Sequence, residues 1–153
     1  MSAAPVIHMP DENKGVILRG HPMVFLVTGE DTKHTGMFDW TIPAGFVTGL
    51  HIHRVQEETF YMLDGECVWH VGDKTIRATP GILPVHSTGR ATQHHQRQRK
   101  TGARADDCLS AWTRALFEEL AKLAERGSPD PKALADLRSR YDTDQISTLT
   151  TRT

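Results

Sequence analysis

Short apolar runs, each closed by a turn, fill the first eighty residues. Gly15-Val16-Ile17-Leu18 and Met23-Val24-Phe25-Leu26-Val27 are bounded by Gly20-His21-Pro22 and Gly29-Glu30-Asp31. Phe38-Asp39-Trp40-Thr41-Ile42 alternates apolar and polar positions and stops at Pro43. Residues 50–53 and 58–63 follow around a polar corner at Arg54–Glu57, and Glu66–Val71 and Lys74–Ala78 come next. Asp64-Gly65 and Gly72-Asp73 are turn pairs suited to positive φ. A period of two bounded by Gly and Pro marks strands. Regularly spaced short strands without helices between them predict an antiparallel sandwich or barrel over 15–81.

The period changes near the C-terminus. Leu116, Phe117, Leu120, Ala121, Leu123 and Ala124 recur at helical spacing and predict a helix from about Trp112 to Arg126. Gly127-Ser128-Pro129-Asp130-Pro131 stops it. Asp130 is placed to cap a second helix with Pro131 at its first position, running to about Tyr141. The threonine-rich residues 142–153 predict a frayed end, and residues 1–14, with Pro5 and Pro10, a loose lead-in. Between the two regions the pattern fails. From His86 to Ala105 the only apolar residues are alanines, and Arg90, Arg97, Arg99, Lys100 and Arg104 meet no acidic residue. This segment predicts a polar, basic coil, which is unusual inside a compact domain.

Composition narrows the function classes. A chain of 153 residues suffices for one domain with a sizeable core. A net charge of −1 and 38% hydrophobic residues point to neither nucleic acid nor membrane as partner. Gln93–Lys100 has no interleaved aromatics for base stacking, so disorder is the preferred reading of its charge. No apolar run has the length of a membrane span, and Met1–His8 has no basic segment followed by an apolar one, so a cytoplasmic protein is expected. Cys67 and Cys108 make no disulfide framework, and Cys67 reads as a small buried hydrophobe.

Candidate chemistry lies in one stretch. His51 and His53 flank Ile52 and therefore share one face of a strand. Glu58, beyond the corner, adds a carboxylate from the next strand. Two imidazoles and a carboxylate are three of the ligands a divalent transition metal takes. Glu57 competes for the same role, but Glu58 shares a strand face with Phe60 and Met62. Trp40, Phe60, Met62 and Val68 read as core, and core is also preferred for Tyr61 and Trp69 over a place in a pocket.

A His-x-His pair alone is a weak signal, but here Gly45, His51, His53, Glu58 and Gly65 agree in spacing. This pattern resembles the first conserved motif of the cupin superfamily, matched at each defining position. The resemblance implies a mainly β, cupin-type jelly-roll β-barrel, with the predicted helices as a C-terminal α-helical appendage. The cupin domain would span 15–110, with 82–110 aberrant, and the helices 112–141. It implies a divalent transition metal (iron first, with manganese, nickel, copper or zinc as alternatives) held by His51, His53 and Glu58. A small-molecule substrate, a homodimer and quercetin-dioxygenase-like chemistry follow from the same resemblance; Glu57, beside the ligand Glu58, is a candidate catalytic base. The alternative is a non-catalytic small-molecule-binding cupin.

The family's second motif departs from this chain. Counted from Gly81, its proline, glycine, histidine and asparagine fall on Ser87, Gly89, Thr92 and Gln96, so the fourth metal ligand is a threonine. Read one nucleotide later under permitted codons, Ala91–Thr101 can yield Pro-His-Ser-Ile-Thr-Asn-Val-Ser-Gly-Lys-Pro, which restores His at position 92 and Asn at position 96. Continued through Asp106-Asp107-Cys108 it can yield Leu-Met-Thr-Val. Residues 82–116 out of frame, in a damaged cupin with little activity, are therefore a further expectation.

Overall fold

The computed structural model describes residues 5–12, 14–89, 92–96, 103–109, 113–125, 127 and 129–146. The predicted strands appear as β1 (Lys14–Leu18), β2 (His21–Val27), β3 (Gly36–Ile42), β4 (His51–His53), β5 (Glu58–Asp64), β6 (Cys67–Val71) and β7 (Lys74–Ala78). Gly65 and Gly72 turn the β5–β6 and β6–β7 hairpins at φ 75° and 59°, the left-handed region that a Cβ disfavours. Four more strands follow: β8 (Val85–His86), β9 (Thr92–Gln96), β10 (Ala103–Leu109) and β11 (Thr143–Gln145). Helices α1 (Thr113–Ala124) and α2 (Pro131–Arg140) precede the last of them.

The strands form two antiparallel sheets, one in the order β1-β2-β3-β10-β5-β8 and one in the order β11-β4-β9-β6-β7. The two-residue period decides what fills the space between them. In β3 the buried positions are Gly36, Phe38, Trp40 and Ile42, with half-buried residues between. They join Met23, Phe25, Phe60 and Met62 from the same sheet and Cys67, Trp69 and Ala78 from the other in one core. Phe60 and Trp69 meet across it with ring centroids 4.3 Å apart. Each such buried side chain contributes about 1.5–3 kcal/mol of apolar transfer. Cys67 is fully buried, and burial, with Glu66 nearby, pushes its thiol up to about 12, so it packs as a hydrophobe.

Two expectations are corrected. The segment read as a polar coil contributes strands: β9 lies between β6 and β4, and β10 lies between β3 and β5. Ladder bonds available on both edges can hold a backbone extended where side-chain propensity does not ask for it. Residues 97–102, 110–112 and 147–153 lie outside the described residues.

The stretch expected to fray from residue 142 is ordered over its first residues, because β11 pairs with β4 in the register Thr143↔His53 and Gln145↔His51. Asp142, buried and at φ 67°, explains why. Its carboxylate accepts the backbone N–H of Val55 at 2.9 Å and of Gln56 at 2.8 Å, and its carbonyl accepts that of Arg54 at 3.2 Å. The tail thus closes the polar corner between β4 and β5.

Helix α1 buries Leu116, Leu120 and Ala121, while Phe117 meets Phe38 edge-on at 5.2 Å. In α2, Asp130 caps the first turn by accepting from the Ala133 N–H at 2.9 Å, and Leu134 and Leu137 enter the same core. No described helix is long and apolar enough to cross a membrane.

Candidate metal centre

Strand β4 is three residues long, and its alternation puts His51 and His53 inside and Ile52 between them half-buried. Glu58 opens β5 with the same inward phase as Phe60 and Met62. One ligand atom from each of His51, His53 and Glu58 lies within 4.8 Å of the other two, and all three residues are buried. Glu57 is exposed and does not line this cavity, so the corner brings Glu58 and not Glu57 to the histidines.

Each imidazole is held from behind. His51 Nδ1 lies 2.9 Å from the Gly49 carbonyl, a contact that requires the Nδ1–H form and leaves the Nε2 lone pair free. Burial pushes the His51 ring down to about 4, against the opposing influence of Glu58 and of that hydrogen bond, so it is neutral at pH 7. His53 Nδ1 lies 2.8 Å from the Gln56 side-chain amide and 3.2 Å from Thr143 Oγ1. Gln56 in turn meets the buried Thr113 hydroxyl of α1 at 3.3 Å. As placed, the Gln56 amide nitrogen donates to His53 Nδ1 and the Thr113 hydroxyl donates to Gln56 Oε1; the amide turned end for end would accept from Nδ1–H instead, the form in which His53 Nε2 keeps a lone pair for a metal.

Glu58 is steadied by a residue beyond the first motif. Its partner across β5 and β8 is His86, whose Nδ1 lies 3.3 Å from Glu58 Oε2. Burial would raise the Glu58 carboxyl, but the imidazoles of His53 and His86 beside it hold it well below the ordinary value. The separation of 3.6 Å between His53 Nε2 and Glu58 Oε2 is too long for a hydrogen bond. Both atoms are fully buried and lack a hydrogen-bond partner among the described residues. These two buried, unpartnered atoms converge beside a neutral imidazole, and with His53 protonated on Nδ1 they offer the lone pairs that a divalent cation takes. The register sets Thr92 opposite His51, the position where the resemblance places a fourth ligand.

The cavity around these groups is about 70 Å³. Trp40, Phe46 and Phe60 of the barrel line it together with Leu116, Phe117 and Leu120 of α1, so the helix covers the barrel mouth. Thr48, Gln56, Thr113, Thr143 and Arg138 complete its polar side.

Residues 38–98 match the cupin domain family model. The chain has a cupin fold. Among solved structures, KdgF from Halomonas sp. matches 67% of this chain and 92% of its own, with a TM-score of 0.57 and 15% identity. A predicted oxalate decarboxylase from Thermotoga maritima matches 69% of this chain and 99% of its own, with a TM-score of 0.56 and 21% identity. Pac13, a nucleoside dehydratase, matches 97% of this chain and 96% of its own, with a TM-score of 0.61 and 9% identity. A Streptomyces Pac13 variant with uridine superposes equally well, with a TM-score of 0.62 at 9% identity. No curated protein sequence matches this chain at a significant level.

The cupin barrel supplies the three residues that sequence spacing singles out. Gln56, His86, Thr113, Arg138 and Thr143 reach the same place without a sequence signal, because their sites are set by a corner, a two-residue strand, two helix faces and a three-residue edge strand. The only hint was the polarity of the corner that contains Gln56.

Proposed function

We propose that this cupin is a metal-dependent enzyme acting on a small organic molecule by dioxygenase-like chemistry. The observation that carries the reading is the buried trio of His51, His53 and Glu58, with orphaned atoms on His53 and Glu58 facing each other. Two histidines and one carboxylate resemble the facial set of non-haem iron(II) oxygenases. A divalent metal held by these three residues would supply Lewis acidity and open positions for dioxygen and substrate. Gly49 fixes the tautomer of His51, and Gln56 with Thr143 orients His53. His86 steadies the carboxylate of Glu58. Leu116, Phe117 and Leu120 of α1 shield the cavity from water, which strengthens every electrostatic contact inside it. Cupin neighbours that include a dehydratase and a predicted oxalate decarboxylase carry other chemistries, so the reaction is argued from the site and not from the fold.

The test is elemental analysis of the purified protein beside His51→Ala and Glu58→Ala, followed by oxygen uptake of the iron-loaded protein with a panel of small acids. One metal per chain, lost in both variants, together with substrate-dependent oxygen uptake, is the expected result. A cooperatively folded protein that purifies without metal and takes up none on loading would refute the reading in favour of a non-catalytic binder.

One observation favours a second reading, that of a frame-damaged copy. Strand β10 is internal to its sheet, yet it reads Ala-Arg-Ala-Asp-Asp-Cys-Leu, and its register sets Asp107 opposite both Phe38 and Phe60, which are fully buried. Acidic residues at that place in a sheet conflict with the pattern of every neighbouring strand. The gene's nucleotide sequence decides: without a paired insertion and deletion relative to close relatives, this reading fails.

A further inference from the structure

Arg138 stands out among the groups lining the cavity, because it is a cation placed beside the candidate metal ligands without a carboxylate of its own. It projects from α2, where its Nη1 donates to the Thr48 carbonyl at 3.0 Å and to Gln145 Oε1. Its Nε and Nη2 have no hydrogen bond to any described residue, and no described carboxylate forms an ion pair with it. A second guanidinium, Arg19, lies close enough to repel it and packs 5.1 Å from the ring centroid of Phe46, another cavity residue. Desolvation, then the charge of Arg19, brings Arg138 down to about 10 against the attraction of Glu58, so it remains a cation at neutral pH.

Among the described residues the charge balance of the site is therefore incomplete. Of these residues Glu58 is the one carboxylate lining the cavity, against Arg138 and, on the reading above, a divalent cation. A part-buried cation that no described carboxylate pairs directly is unfavourable, and a planar guanidinium with N–H groups left over is suited to a carboxylate. Size narrows the choice, because about 70 Å³ is far below the roughly 300–1,000 Å³ of pockets that enclose drug-sized ligands.

We propose that the molecule taken into this cavity is a small carboxylate, and that Arg138, from the helical appendage, is the residue that binds its anionic group. The inference rests on the metal-site reading for the full charge deficit, but Arg138 is a cation whether or not metal is bound.

Calorimetric titration with acetate, pyruvate and malonate, and with acetamide and inorganic phosphate as comparisons, tests it on metal-free and metal-loaded protein. Wild type is expected to bind the carboxylates in the millimolar range or tighter, acetamide at least tenfold more weakly, and phosphate more weakly than the carboxylates. Arg138→Gln should weaken carboxylate binding at least tenfold while leaving the metal content unchanged, and Arg138→Lys should restore part of it. If Arg138→Gln does not fold, the acetate-to-acetamide contrast in wild type and the Arg138→Lys titration decide. Equal affinity for acetate and acetamide, unaltered carboxylate binding in Arg138→Gln, or phosphate preferred over every carboxylate would each overturn the proposal. A protein that holds no metal yet binds carboxylates through Arg138 would refute the metal reading and leave this one standing.

Discussion

Removing the Asp142 side chain should destabilise the fold and loosen the metal site together, because one carboxylate holds the corner on which both depend. Asp142→Ala would strip the Gln56 N–H, which is buried, and the Val55 N–H of their acceptor. Hydrogen bonds to a charged acceptor contribute about 1.5–3 kcal/mol, and an orphaned buried donor costs about 1–3 kcal/mol. One fully and one partly buried donor therefore suggest a loss of about 2–4 kcal/mol. Alanine would also inherit the left-handed backbone at φ 67°, which Asp and Asn tolerate better. Asp142→Asn keeps that tolerance and one acceptor oxygen, and should lose about 1 kcal/mol. Urea unfolding of the metal-free protein, read from the fluorescence of the buried Trp40 and Trp69, measures both. Metal titration of the same variants should show weaker binding in Asp142→Ala, since Gln56 would no longer be fixed against His53. A loss under about 0.5 kcal/mol, within the range of ordinary surface substitutions, would refute the argument.

The metal-free protein should lose stability as pH falls from about 6.5 to 4. His51 is depressed from 6.5 to about 4 in the folded state, so the unfolded chain binds its proton first. The associated loss is roughly 3 kcal/mol. Glu58, also depressed, adds a loss below 4.5 in the same direction; a flat urea midpoint between pH 6.5 and 4 would contradict the His51 part, and no further fall below 4 the Glu58 part. Gln56→Leu removes the amide beside His53 Nδ1 and should weaken metal binding about 10–100-fold, as losses behind a ligand do, checked by competition with a chelator. Gly15→Ala should destabilise by about 1–3 kcal/mol in urea unfolding, because its Cβ would stand 2.4 Å from the Met23 carbonyl oxygen and force the β1–β2 ladder apart.

The barrel was legible wherever burial wrote a period of two into the chain. β3 and β5 show that alternation, and the turn glycines Gly65 and Gly72 lie where their left-handed φ is needed. His51, His53 and Glu58 were legible for the same reason, since strand phase alone brings them to one side. β9, β10 and β11 were not, because their pairing partners lie far off in sequence and their own residues carry no apolar alternation. Thr143-Asp144-Gln145 is polar throughout, and what holds it is the backbone of β4 and the buried Asp142 beside it. His86 was equally hidden. A lone histidine in a basic stretch carries no mark of the register that sets it opposite Glu58.

These hidden residues divide the labour of the site. The barrel alone brings three donor atoms together, an arrangement compatible with many reactions. Thr113 of α1 meets Gln56, Thr143 of β11 meets His53, and Arg138 of α2 lines the cavity, so each C-terminal element contributes one polar group. Asp142 joins that appendage to the corner between β4 and β5 and thereby links its docking to the orientation of His53. On the proposed function the barrel would set what a bound metal can do, and the appendage which molecule reaches it. Substitutions in α2 that spare the core should therefore change ligand preference while leaving the metal content as it was.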